Sequence, residues 1–122
     1  MPSSRTKLGD HGEQAAIGYL LTHGYELLER KWRCNNGEID LIVRQGAELV
    51  FVEVRTRAGQ ATPQESVDMR KQRKLIELAY TYTAQHTLPP ETSWRIDIIG
   101  INMDRRGHVL RLTHICNAVE EI

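Results

Sequence analysis

Residues 37–57, Gly-Glu-Ile-Asp-Leu-Ile-Val-Arg-Gln-Gly-Ala-Glu-Leu-Val-Phe-Val-Glu-Val-Arg-Thr-Arg, constrain the fold of this chain more than any other stretch. Two runs with period-two alternation meet at Gly46-Ala47, the pattern of two half-buried strands joined by a tight turn. If Gly46-Ala47 is a two-residue hairpin loop, Asp40 faces Glu53, Glu38 faces Arg55 and Ile42 faces Phe51 on one side of the ribbon. Ile39, Leu41 and Val43 then face Val54, Val52 and Val50 on the other, a side that is wholly apolar. A slip of one residue would oppose charge to core, so the hydrophobic pattern itself favours this register.

Two carboxylates directly across an antiparallel pair lie about 5 Å apart at Cβ and repel one another. Something must offset that repulsion. Carboxylate oxygens suit Mg²⁺ and Mn²⁺, and Mg²⁺ sites use one or two carboxylates together with waters and phosphate oxygens. A divalent cation between Asp40 and Glu53 is therefore one reading. The other is an exposed sheet face on which a Glu38–Arg55 pair and Arg44 neutralise the acids.

With 122 residues and 40% hydrophobic content, the chain is expected to form one domain over residues 1–122, with apolar material for a single core. No apolar run approaches the roughly 20 residues of a membrane span, and the polar start Met-Pro-Ser-Ser-Arg-Thr-Lys lacks the apolar segment of a secretory signal. A cytoplasmic protein is expected. Cys34 and Cys116 have no metal-ligand spacing and are read as reduced thiols; the five histidines make no zinc motif.

Net charge is zero, from 16 basic and 16 acidic residues, but the charges are unevenly spread. From Arg30 to Lys74 there are ten Lys/Arg against six Asp/Glu, and Glu38, Asp40 and Glu53 are among the six. A basic surface around an acidic metal site suits phosphodiester chemistry, with cations holding phosphates and carboxylates holding the ion. Scattered solvated charge is the plainer account.

The flanking segments supply further candidates. Residues 1–8 are polar and basic, and are expected to be a loose arm. From Asp10 to His23, Ala15, Ala16, Tyr19 and Leu20 form a helical apolar stripe, with Asp10 as N-cap, Glu13 as its capping-box partner and Gly24 as the stop. Glu13 has a second reading, a third acid delivered to the metal site. Residues 25–34 read as a strand, in which Trp32 among Arg30, Lys31 and Arg33 either stacks on a base or sugar or packs on the domain. Thr56 to Thr62 reads as a polar loop containing Arg57. Thr62-Pro63-Gln64-Glu65 reads as the start of a long helix whose stripe is Val67, Leu75, Ile76, Ala79 and Tyr82. Of the basic run Arg70, Lys71, Arg73 and Lys74 on that helix, Lys71 is expected to point toward the site. Pro89-Pro90 closes the helix. Trp94 to Ile101 and His108 to Ile115 complete the strands, with Asp97 paired to Arg95 or a neighbouring strand. The order helix, three strands, helix, two strands predicts an α/β fold, a mixed sheet with helices on both sides.

Gly37-Glu38-Ile39-Asp40-Leu41-Ile42 followed by Phe51-Val52-Glu53-Val54-Arg55, with Gly12-Glu13 upstream and Arg95-x-Asp97 downstream, resembles the bacterial YraN family of uncharacterised small proteins. That family is similar to the PD-(D/E)xK restriction-endonuclease-like superfamily, and in particular to the archaeal Holliday-junction resolvases. The resemblance implies a mixed central β-sheet flanked by helices, with Asp40, Glu53 and Arg55 at its working edge and Glu13 as an accessory acid. It further implies Mg²⁺ or Mn²⁺ as cofactor, branched DNA as substrate and a homodimer, since resolving a junction takes two active sites. RNA is a second candidate partner.

One departure from the nuclease motif stands out. The motif ends in lysine, which can shift its pKa and help orient or activate a water, whereas Arg55 stays charged and can only clamp phosphate or stabilise charge. Lys71 is the candidate to replace that lysine in space. Two functions follow: a metal-dependent endonuclease in which Asp40 and Glu53 hold the ion, Glu13 assists and Arg55 contacts the scissile phosphate; or a catalytically weak nucleic-acid-binding module with the same fold. Arg30, Lys31, Trp32, Arg33, Arg57 and Lys71 are the expected nucleic-acid contacts in either case.

Overall fold

Helix α1, Ser4–Thr22, opens the fold, and its stop is built by glycine. Gly24 has φ +87°, and the N–H groups of Gly24 and Tyr25 donate to the carbonyls of Leu21 and Leu20 at 3.3 and 3.0 Å. This double closure needs a left-handed residue, which glycine adopts without a steric cost. Three strands follow, β1 (Glu26–Cys34), β2 (Gly37–Gln45) and β3 (Glu48–Ala58), then helix α2 (Met69–Gln85) and strands β4 (Trp94–Met103) and β5 (Val109–Ile115). The computed structural model describes residues 4–59 and 67–119, with the side chains described from residue 9 onward.

The five strands form one mixed sheet in the order β1-β2-β3-β4-β5. Among the described strands only β3 and β4 pair in parallel, and α2 lies between them in sequence, as a parallel connection demands. On one face, Ala16 and Leu20 of α1 pack on Leu41, Val43, Val50 and Val52. On the other, Leu75, Leu78, Ala79 and Tyr82 of α2 pack on Ile42, Phe51, Ile96 and Ile98. The fold is thus an α/β sheet with helices on both sides, consistent with a nuclease-like architecture. The hairpin register is the expected one over five pairs, from Gln45–Glu48 to Leu41–Val52.

Several local expectations are corrected. Ser4 onward is helical, so most of the expected arm belongs to α1, and Asp10 lies inside the helix instead of capping it. Asp10 instead accepts a hydrogen bond from Lys31 Nζ at 3.2 Å. Ile39 does not share a face with Leu41: it packs with Ile42 and Phe51 in the α2-side core. Next to Trp32, the β1 partner of Ile39, Lys31 has φ +49° in mid-strand, a local twist that sequence alternation cannot register. Glu38 does not reach Arg55. It accepts from Arg33 Nε at 2.7 Å, because β1 and β2 stay paired out to Cys34–Gly37 while β2 and β3 have parted.

Thr56 and Arg57 belong to β3, not to a loop, since β4 extends the parallel ladder to Arg57–Asn102 and Ala58–Met103. The proposed helix start at Thr62–Glu65 lies outside the described residues. The described helix begins at Met69, where Asp68 accepts the Lys71 N–H at 2.9 Å as N-cap. Val67 precedes the helix yet belongs to the core, and Leu78, absent from the expected stripe, is buried in its place. Asp97 does pair with Arg95, whose Nε lies 2.9 Å from Asp97 Oδ1.

Candidate active site

The β2–β3 ladder ends at Leu41–Val52, and the next residue on each strand is an acid: Asp40 and Glu53. The strands part here because Asp40 Oδ2 accepts the Val54 N–H at 2.8 Å, taking a donor that a continuing ladder would give to a backbone carbonyl. A side chain thus closes the ladder and holds the two carboxylates together. Glu53 is only 5% exposed. Burial, and then the charge of Asp40, push the Glu53 carboxyl up to about 7, against the opposing pull of Lys71 and Arg55. Burial also raises Asp40, with the Val54 N–H as the main counterweight.

The third acid arrives from α1 through a close approach. A Cβ on Gly12 would stand 2.0 Å from Thr56 Oγ1 and 3.1 Å from Thr56 Cβ, so only glycine lets the helix sit this tightly on β3. The next residue, Glu13, is thereby delivered beside Asp40. It is 9% exposed, and its Oε1 is buried with no hydrogen-bond partner. Its Oε2 lies 3.8 Å from Lys31 Nζ. Burial and the charge of Asp40 both raise its pKa. The glycine is the sequence signal for this packing, since a glycine inside a helix costs stability unless the site requires it.

Cations from two elements reach Glu53. Arg55 Nη1 lies 3.7 Å from Glu53 Oε1, and Lys71 Nζ, from the first turn of α2, lies 3.5 Å from Glu53 Oε2. Lys71 therefore points where the sequence reading placed it. Glu13, Asp40, Arg55 and Arg57 line an open cleft of about 430 Å³ along the end of β3. Arg70, Lys71, Arg73 and Lys74 line a second open surface on α2.

The remaining candidates are placed differently. Trp32 is buried, edge-on to Tyr82 with ring centroids 5.3 Å apart, so its ring packs in the core instead of offering a face to a base. Arg30 is exposed, Lys31 is tied to Asp10 and Glu13, and the Arg33 guanidinium is engaged by Glu38.

The donors at this site suit a hard divalent cation. They are all carboxylate oxygens, they repel one another at close range, and one of them is a buried oxygen lacking a partner, a costly arrangement that a cation would relieve. Asp40 and Glu53 are the close pair. Glu13 joins them from α1, close enough for the Asp40 charge to raise its pKa.

Residues 12–101, which span Gly12-Glu13 through Arg95-x-Asp97, match the family described as Uncharacterised protein family UPF0102. A UPF0102 protein of Chloroflexus aurantiacus is 46% identical over 121 residues, covering 99% of each chain. One from Roseiflexus castenholzii is 46% identical over 123 residues with the same coverage, and one from Moorella thermoacetica is 45% identical over 111 residues, 89% of this chain and 92% of the other. Among solved structures, Pyrococcus furiosus SfsA in complex with Ca²⁺ aligns with a TM-score of 0.40 and 17% identity, over 93% of this chain and 64% of that one. The chain belongs to the uncharacterised protein family UPF0102, the YraN family.

Proposed function

We propose that this chain is a metal-dependent endonuclease that hydrolyses phosphodiester bonds in DNA, with branched DNA as the first substrate class to test. The observation that carries this reading is the pair Asp40 and Glu53, a half-buried and a buried carboxylate held together where β2 and β3 part, with Lys71 and Arg55 both within 4 Å of Glu53. A structural role for such a pair is uneconomical, because each acid raises the cost of ionising the other.

Asp40 and Glu53 would hold Mg²⁺ or Mn²⁺, with Glu13 assisting from α1. The ion, when bound, supplies Lewis-acid stabilisation of charge on the phosphoryl oxygens. Arg55 clamps the scissile phosphate by its fork of N–H donors, and Arg57, two residues further along the same cleft, contacts a neighbouring phosphate. Lys71 places a compact ammonium beside Glu53, where it orients the attacking water and stabilises the charge that develops as the leaving oxygen departs. Cleavage of both arms of a junction would require two copies of the chain.

A second reading, a nucleic-acid-binding module with little turnover, is favoured by one feature: Arg55 stands where the nuclease motif has lysine. Cleavage and binding of labelled four-way junction, flap and linear duplex DNA, with Mg²⁺ or Mn²⁺, separate the two. Metal-dependent cuts that disappear in Asp40→Asn and in Glu53→Gln support the nuclease. Salt-sensitive binding without cuts supports the module, and absence of both binding and cleavage removes both readings.

A further inference from the structure

A second polar cluster lies away from the acids, where β4, β5 and α1 meet. Asp97 of β4 is fully buried, with every hydrogen-bonding direction used. Its Oδ1 accepts from Arg95 Nε and from the Asn117 N–H, each at 2.9 Å, and its Oδ2 accepts from Arg95 Nη2 at 3.3 Å and lies 2.7 Å from His114 Nε2. The other imidazole nitrogen, Nδ1, is 2.9 Å from the Tyr19 hydroxyl. Cys116, an exposed free thiol, places Sγ 3.6 Å from the same His114 Nε2. A carboxylate oxygen, an imidazole nitrogen and a sulfur thus lie within 4.8 Å of one another.

This arrangement is not a thiol-activating relay. In such a relay the carboxylate and the nucleophile occupy opposite nitrogens of the imidazole. Here both face Nε2, and Nδ1 is taken by Tyr19. One proton on Nε2 can serve the carboxylate or the sulfur but not both, whereas a cation at that point would serve all three donors at once. The surroundings also have the form that orients metal ligands. When Nδ1 carries the proton, Tyr19 accepts it and leaves the Nε2 lone pair free, while Arg95, bonded to both oxygens, and the Asn117 N–H orient the Asp97 carboxylate.

We infer that Asp97, His114 and Cys116 form a binding site for a zinc-type divalent ion, with three protein ligands and a fourth position open to water. Mixed nitrogen, sulfur and oxygen donors select this class of ion over Mg²⁺. Binding forms a bond from the metal to each of the three donors, and the thiol proton leaves to solvent. Exposed Cys116 gives the ion its way in. The charges of Asp97 and the Cys116 thiolate balance the ion, while Arg95 is also paired with Glu48. The bound ion would tie the edge strand β5 to β4, a role separate from the chemistry proposed for Asp40 and Glu53.

Titration of the full chain with Co²⁺, a spectroscopic stand-in for zinc, tests the assignment. The expected result is a thiolate-to-cobalt charge-transfer band that saturates at one ion per chain, is displaced by Zn²⁺ and not by Mg²⁺, and is lost in Cys116→Ala. Asp40→Asn should keep the band, which separates this site from the acidic cleft. Because Cys116 lies at the surface, Cys116→Ala is expected to fold, and thermal denaturation gives a second readout: Zn²⁺ should raise the melting temperature of the native chain and not that of the variant. No band, or a band that survives Cys116→Ala, overturns the site.

Discussion

Gly12 and Thr56 are in such close contact that a Cβ on Gly12 would meet Thr56 Oγ1 at 2.0 Å, and this contact sets the position of Glu13 beside Asp40. Rotating the Thr56 side chain relieves the clash with Oγ1 but not that with Thr56 Cβ at 3.1 Å, so α1 itself must shift to admit a methyl group. Gly12→Ala should therefore destabilise the chain by roughly 1–3 kcal/mol, the usual cost of overpacking, despite the better helix propensity of alanine. Thr56→Ala should recover part of the loss in the double variant. Denaturant unfolding of the four chains in that cycle measures the coupling, and strictly additive effects would contradict the packing account.

Glu53 is held in the fold at a cost. Burial and the Asp40 charge raise its carboxyl to about 7 from an ordinary value of 4.5. A raised value means that the neutral carboxyl is the form the fold favours: its stabilising share is full below pH 4.5 and is lost as pH rises through about 7. At pH 8, without divalent ions, Glu53→Gln should accordingly be more stable than the native chain, and the gap should narrow toward pH 4 where both side chains are neutral. Urea denaturation in EDTA at the two pH values checks this. A glutamine variant less stable at pH 8 would show that Lys71 and Arg55 already compensate the charge.

The sequence carried the hairpin register because Gly46-Ala47 and the alternation around it are local signals, and five observed pairs follow them. The nearness of Asp40 and Glu53 follows from the same register, and the fold brings Glu13 and Lys71 up to them. What it could not carry is set by contacts distant in the chain. Ile39 changes face near Lys31, whose φ of +49° leaves no trace in the hydrophobic pattern, and Arg33 takes Glu38 away from Arg55 because β1 stays paired after β3 has left. The β3 strand runs through Thr56 and Arg57 only because β4 lies alongside. On sequence alone Trp32 suits a base or, more commonly, the core, and α2 supplies the Tyr82 ring against which it packs. His114 and Cys116 made no motif, yet two-residue spacing places them on one side of the chain, and the β4–β5 register sets Asp97 beside them.

The basic side chains of α2 lend themselves to a test by salt. Arg70 and Arg73 are exposed on the same helix as Lys71, on a surface shared with Lys74. If that surface follows a DNA backbone, Arg70→Ala and Arg73→Ala should each weaken binding to all sequences alike, and each should reduce the slope of log affinity against log salt by about 0.9. Fluorescence anisotropy over a salt series gives the slope. Unchanged slopes would move the backbone path off α2 and leave the cleft lined by Arg55 and Arg57 as the contact surface.

Lys71 and Arg55 approach different oxygens of Glu53, from α2 at 3.5 Å and from β3 at 3.7 Å, and their side chains differ in what they can do. An ammonium on a flexible stem can reorient around a water and a phosphoryl oxygen; a guanidinium holds its donors in a fixed plane. If Lys71 takes the part played by the motif lysine, Lys71→Ala should lower kcat by roughly 10²–10³-fold, the range for removal of one positioned charge-stabilising donor, with a much smaller change in DNA affinity measured in EDTA. Lys71→Arg should recover little of that rate. Arg55→Lys introduced into the Lys71→Ala chain should recover part of it, because it returns an ammonium to the strand beside Glu53. Single-turnover cleavage of the best substrate distinguishes these outcomes. A Lys71→Ala chain that cuts at the native rate would assign the positive charge of the reaction to Arg55 alone, and would place Lys71 with the phosphate-binding residues of α2.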